Sequence, residues 1–487
     1  MTPSESDNTV SNDQQEFSAM IESLGERPAK LPQAMAGSAS GPLANAARWL
    51  LLAALVGTPW AYGGTRPWAV HLLNGWLGTV LVLWGASCAL RRRWPNVPLL
   101  LAASGAALIV QAWWMACAGS INPEASLAMA QRITPLVGAA CFVCDLARRP
   151  AWRKRLWWTM GLAGASICLL GLAQRLEGAN SIFWAKEKSG ETFFATFDYH
   201  ANAGAFINLV WPLVAGLVVS AFQRHASPAG KFLSIVLLSV CLTAAFVNAS
   251  RGAGALAVVL LLVLVGWLLT GLWQGRKQKR KPVPALVTAL LVAVIMGGLA
   301  FTVGFDETVR RWKLFGREIN EQNGRFQTAR VCLRILPDTG WFGAGPGTFA
   351  TLFPRYQHLG HYAVEEKWIY AHQDYLQTVI EWGFLGAGCW GLFALGGLIQ
   401  SVRARFRKGR WANRDRTLYF VILVSLLGVA LHASFDYPLQ VPSLQLYVAV
   451  LLGMLWSCRE WKVNRRRQDE GENTVETNPP PESIASR

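Results

Sequence analysis

Residues 253–273 read AGALAVVLLLVLVGWLLTGLW, a run without one charged side chain. A helix rises 1.5 Å per residue, so a run of this length spans about 31 Å, close to the ~30 Å hydrocarbon core of a bilayer. Eleven further apolar runs bounded by charge or turn residues lie near 49–63, 68–90, 97–118, 127–146, 156–174, 203–222, 232–249, 284–303, 375–402, 418–435 and 443–458. The chain is therefore expected to be all-α, a polytopic integral membrane protein of about twelve transmembrane helices.

Composition agrees. Of 487 residues, 52% are hydrophobic, 23 are Trp and only 15% are charged, too apolar a balance for a soluble chain of this length. The net charge of +17 would suggest nucleic acid in a soluble protein. Here the cations gather in short clusters between apolar runs, which is a topology signal, and no nucleic-acid partner is expected. The clusters are Arg91 to Arg93, Arg148 to Arg155, Arg276 to Lys281, Arg403 to Arg416 and Arg459 to Arg467. All fall on one side of the membrane, and Lys and Arg in short loops are retained in the cytoplasm. Both termini are then cytoplasmic.

The expected organisation is a disordered tail over 1–46, helices one to nine over 47–303, a periplasmic loop over 304–374 between helices nine and ten, three helices over 375–458, and a second disordered tail over 459–487. No removable signal peptide is expected, because no short apolar segment with a small-residue cleavage site opens the chain. The nine cysteines lie mostly inside apolar runs and form no disulfide framework. Cys141 and Cys144 make a CxxC, yet no second pair and no nearby His completes a metal site.

Polar residues worth chemistry gather on the outer side. Arg251 stands in Asn248-Ala249-Ser250-Arg251-Gly252, which divides two apolar runs. It could snorkel from a tight turn, or meet an anion where backbone N–H groups and the helix dipole add to its charge. Residues 324–336, GRFQTARVCLRIL, form an expected helix ended by Pro337, with Arg325 in its first turn and Arg330 and Arg334 on one face. That face could be merely solvated. Next comes GWFGAGPGTF over 340–349, whose glycines permit tight turns and the close approach of a ligand. It follows no strand, which rejects a nucleotide-binding fingerprint. Finally AHQDYLQ over 371–377 leads to Glu381-Trp382-Gly383, where a helix re-enters the membrane with His372 and Tyr375 near one face and Glu381 about two turns deeper. A His at such a boundary is an anchor, or a base for a hydroxyl near neutral pH.

The ordered set of Ser250-Arg251-Gly252, the block from Gly324 to Phe349, the HxDYLQ segment from His372 and Glu381-x-Gly383 resembles the O-antigen ligase and O-antigen polymerase superfamily. The resemblance covers roughly residues 190 to 400 in motif and the helical region in layout. It implies a membrane-embedded glycosyltransferase of a bacterial inner membrane, working in lipopolysaccharide or exopolysaccharide biosynthesis. Its donor would be an undecaprenyl-diphosphate-linked glycan, its acceptor a hydroxyl on a glycan, lipid or protein at the periplasmic face, and membrane lipids its solvent. It further implies no cofactor and no metal. The implied roles are donor-diphosphate contacts for Arg251 and Arg325 and activation of the acceptor hydroxyl by His372, with Arg330 and Glu381 as further substrate-binding candidates. Ala329 and Gln373 depart from the family pattern, where Trp and Asn or Ser are frequent. Chain polymerisation uses a similar constellation. A transporter of lipid-linked sugar is the rival from another class, but it would be expected to carry ionisable residues in mid-membrane and related halves.

Overall fold

A computed structural model describes residues 41–186, 192–224, 226–276, 292–299, 302, 324–357, 368–407 and 411–461. The main helices are α1 (Pro42–Trp60), α2 (Pro67–Leu90), α3 (Leu99–Trp114), α4 (Pro123–Leu146), α5 (Pro150–Leu176), α6 (His200–Gln223), α7 (Pro228–Val247), α8 (Arg251–Arg276), α9 (Gly324–Thr339), α10 (Phe349–Leu352), α11 (Asp374–Phe406), α12 (Asn413–His432) and α13 (Pro442–Ser457). No strand occurs among the described residues; the one β-bridge joins Phe194 and Phe197. Many helices open on a proline at the first or second position, where its fixed φ suits the helix and its missing N–H costs nothing. Asn122 and Ser227 add side-chain caps to α4 and α7, accepting from Ala125 N at 3.1 Å and Gly230 N at 3.2 Å.

Nine helices among the described residues are long and apolar enough to cross a membrane: α2, α3 with its π-helical extension to Gly119, α4 to α7, the Arg251–Thr270 part of α8, α11 and α12. The runs expected near 49–63 and 443–458 form α1, which carries Arg48, and the 16-residue α13. Most of the run expected near 284–303 lies outside the described residues, although 292–299 are helical. Outward-facing Val82, Val110, Leu262 and Leu395 leave an apolar exterior that only a lipid solvent accommodates. At the centre stands α6, almost every side chain of which is buried against α5, α7, α8 and α12.

Contacts sort the loops onto two faces. On the arginine-rich face Arg93 pairs with Asp145, Arg148 with Glu460 at 3.6 Å, and Arg153 with Asp415 at 2.8 Å. The last pair is buried at both ends and ties α5 to α12, with Trp461 stacked on the guanidinium at 4.7 Å. The opposite face collects Arg66 on Asp198 at 3.1 Å, Thr196 on the Pro59 carbonyl, and every described segment of the candidate site. Around that site a second, smaller apolar cluster forms from Val331, Cys332 and Ile335 of α9 with Phe349, Phe353, Ala371 and Ile380.

Candidate functional site

After α9 the chain turns through Gly340, Gly343, Gly345 and Gly347, all at positive φ. These glycines let backbone reach backbone. Ala344 N donates to Ile380 O at 2.9 Å and Gly345 N to Glu381 O at 3.0 Å. The Glu381 carboxylate accepts from Gly347 N at 2.9 Å, Phe349 N at 3.1 Å and Gln377 Nε2 at 3.0 Å. A Cβ at Gly343 would lie 2.4 Å from Glu381 O, and one at Gly345 2.2 Å from Ser120 Oγ. Ligand approach was the expected use of the glycines; in the structure α11 and the start of α4 occupy that space. Gly383, at φ 65 and ψ −176, breaks the ladder of α11. Leu385 N is taken up by Trp341 O at 3.1 Å, and Trp382 O accepts from Gln111 Nε2 at 2.7 Å.

Contrary to the sequence expectation, His372 and Tyr375 do not share a helix face, because His372 precedes the helix. Helix α11 starts at Asp374, Gln373 caps it by accepting from Leu376 N, and His372 occupies the preceding turn at φ 51. Asp374 is fully buried and holds the turn between α12 and α13: its carboxylate accepts from Leu439 N at 2.8 Å and Gln440 Nε2 at 3.0 Å. That turn presents Asp436, whose Oδ1 lies 3.1 Å from His372 Nδ1. The two atoms are within polar contact, while their alignment falls short of a hydrogen bond. Trp368 and Tyr437 meet the imidazole edge-on, at 4.6 and 4.7 Å between centroids. Tyr437 is stacked between Tyr370 at 4.4 Å and Tyr199 at 5.8 Å, and burial pushes the hydroxyls of Tyr370 and Tyr437 above the usual phenol range.

The Asn248–Gly252 turn closes the same face. Ala249 adopts φ 61, and Asn248 Nδ2 donates to His200 O at 2.9 Å. Asn208 Nδ2 binds Ala253 O at 2.8 Å, fixing the first turn of α8. Gly252 is packed so tightly on the Phe435 ring that a Cβ would lie 2.7 Å from it. Arg251 thus opens α8, half-buried, beside the 435–437 segment that carries the partner of His372.

Residues 232–391 match the family profile described as O-antigen ligase. The chain carries an O-antigen ligase family domain. The matched stretch includes Arg251, Arg325, the glycine turn, His372 and Glu381. No curated protein matches the chain.

Of the site residues expected from sequence, the fold brings His372 and the Arg251 turn together around Phe435, Asp436 and Tyr437, which lie beyond the matched stretch. The Arg325 side chain lies outside the described residues; the buried face of its helix reaches Ala371 and Trp368, close in sequence to His372. Arg330 is exposed on the face of α9 away from Val331, Cys332 and Ile335. Glu381 is buried, with its carboxylate turned to the glycine loop.

Sequence reasoning missed Asp436, Asp374 and Arg132. The first two act across long sequence separations, and only their acidic character in or beside an outer loop marked them. Arg132 had a clearer signal, because a lone Arg inside an apolar run is a site candidate by default. It sits midway along α4, reaches Gln440 O at 3.4 Å through Nη1, and leaves Nε buried without a hydrogen-bond partner. Arg132 is thus an ionisable residue inside an apolar helix, a feature the transporter alternative would also be expected to carry. Cys141 and Cys144 are thiols of α4, and no group of three His, Cys, Asp or Glu side chains among the described residues could hold a metal.

Proposed function

We propose that the chain moves a glycan from an undecaprenyl-diphosphate carrier to an acceptor hydroxyl at the periplasmic face, the face opposite the arginine-rich loops. The observation that carries this is the placement of His372 in a strained turn, its Nδ1 against buried Asp436 and an arginine turn beside it. A carboxylate at Nδ1 holds the imidazole in the tautomer that leaves Nε2 as the proton acceptor. Nε2 takes the proton of the acceptor O–H, and the oxygen attacks the anomeric carbon of the donor sugar. The bond from that carbon to phosphate oxygen breaks, and the lipid diphosphate departs with the electron pair. Arg251 and Arg325 stabilise the growing charge on the leaving diphosphate, as guanidinium forks do best where water is excluded.

Arg330 is assigned a peripheral substrate contact on the exposed face of α9. Glu381 is assigned to positioning, since three protein donors already occupy its carboxylate. The same site serves chain polymerisation when the acceptor is itself a lipid-linked glycan. Reconstitution of the purified chain in vesicles, with a lipid-diphosphate-linked glycan and candidate acceptors, tests the proposal. Glycan appearing on an acceptor with release of lipid diphosphate is expected. Movement of intact lipid-linked glycan across the bilayer without transfer would favour the transporter instead.

A further inference from the structure

A trough of about 560 Å³ opens on the outer surface of the bundle, away from the candidate site, between α11, the start of α3 and the end of α13. Its floor is Trp456. The indole is seated against Gly396 and Gly397, where a Cβ would lie 2.7 and 2.8 Å from it, and is held by Nε1 on Phe393 O at 2.9 Å. Gly388 and Gly391 leave open space above that floor, with no atom within 4 Å of a Cβ at either. Leu395 and Ile399 stand half-exposed on one flank and Leu100 on the other.

Charge at the two ends is unequal. From Gly388 to Ile399 the lining is apolar, whereas the end on the arginine-rich face carries Arg403, Arg407 and Arg459. All three are exposed, and none pairs with a carboxylate among the described residues. Gly388 to Arg403 is about 22 Å of helix, the depth of one leaflet with its headgroups. Apolar walls of one lipid's length ending in a cluster of arginines match an anionic phospholipid, and basic pockets between helices at a membrane surface bind such headgroups.

We propose that an anionic diacyl phospholipid occupies this trough, with its acyl chains over Trp456 and Gly391 and its phosphate among Arg403, Arg407 and Arg459. The full-length chain, purified in mild detergent, would be titrated with phosphatidylglycerol or phosphatidylcholine, and bound lipid counted by native mass spectrometry. Phosphatidylglycerol should be retained preferentially. The triple variant Arg403→Gln, Arg407→Gln, Arg459→Gln should lose about a hundredfold in apparent affinity, from about fivefold per arginine near a membrane surface. Gly391→Leu fills the open space without a clash, and should abolish retention without lowering the lipid-free melting temperature. Equal retention of both lipids would overturn the proposal, as would a triple variant that holds phosphatidylglycerol like the parent. So would a dimer trapped through Leu392→Cys in phosphatidylglycerol vesicles, since a second copy would then cover the trough.

Discussion

Glu381→Ala separates a positioning role from substrate contact. The Glu381 carboxylate accepts from Gly347 N, Phe349 N and Gln377 Nε2, and it is 2% exposed, so removal leaves three donors without an acceptor. Each buried, unsatisfied donor costs about 1–3 kcal/mol, and a loop that can swing into water recovers part of that cost. A net of about 3 kcal/mol, roughly half the mid-range sum for three donors, is equivalent to about a hundredfold more opening of the glycine loop. Hydrogen exchange of the purified protein reads this directly. Peptides spanning 340–352 should exchange about a hundredfold faster in the variant, with no change in peptides from α6. Glu381→Gln keeps one carbonyl oxygen but turns an NH2 toward a backbone N–H, so it should fall between. Transfer should decline through kcat. Unchanged protection of the loop with a rise in KM alone would refute the positioning role and restore Glu381 as a substrate contact.

Gly383→Ala places a Cβ 2.2 Å from Trp341 O at a φ of 65, so the kink of α11 should be lost along with transfer. Proteolytic nicking near the glycine loop would report it; parental resistance and activity would show that the kink is dispensable. Arg153→Met should destabilise by about 3–5 kcal/mol because buried Asp415 loses its partner, whereas adding Asp415→Leu should recover most of that, as read by unfolding in detergent. Burial pushes the Cys332 thiol of α9 up to about 12, above its unfolded value near 8.5. Its contribution is therefore whole below about pH 8.5 and is lost as pH rises toward 12, where only the unfolded chain ionises. Cys332→Ala should flatten the fall in melting temperature between pH 9 and 10.5, and an unchanged slope would count against this.

Much of the fold was legible because its determinants are local. An apolar run of bilayer length declares itself, and the arginine clusters that sort the loops lie next to the runs they flank. The ion pairs from Arg93, Arg148 and Arg153 join clusters the sequence had placed on one face. The site was less legible. His372 and Arg251 stood out as polar residues at membrane boundaries, but the carboxylate 3.1 Å from His372 comes from the α12–α13 turn, and no periodicity links the two. The EWG motif was visible as a motif. That its Glu holds a loop and its Gly breaks a helix depends on Gly343 and Trp341 approaching from another segment. Arg132 is legible in the sequence as the one cation of the run near 127–146, although what it reaches, the Gln440 carbonyl, is remote in sequence.

The most direct test is single-turnover glycan transfer by the reconstituted protein bearing His372→Ala, with Asp436→Asn beside it and insertion and folding verified for both. Loss of His372 should reduce transfer to background with donor binding retained, and Asp436→Asn should lower the rate and alter its dependence on pH. Transfer by His372→Ala at the parental rate would contradict the assignment of the acceptor's base to this turn.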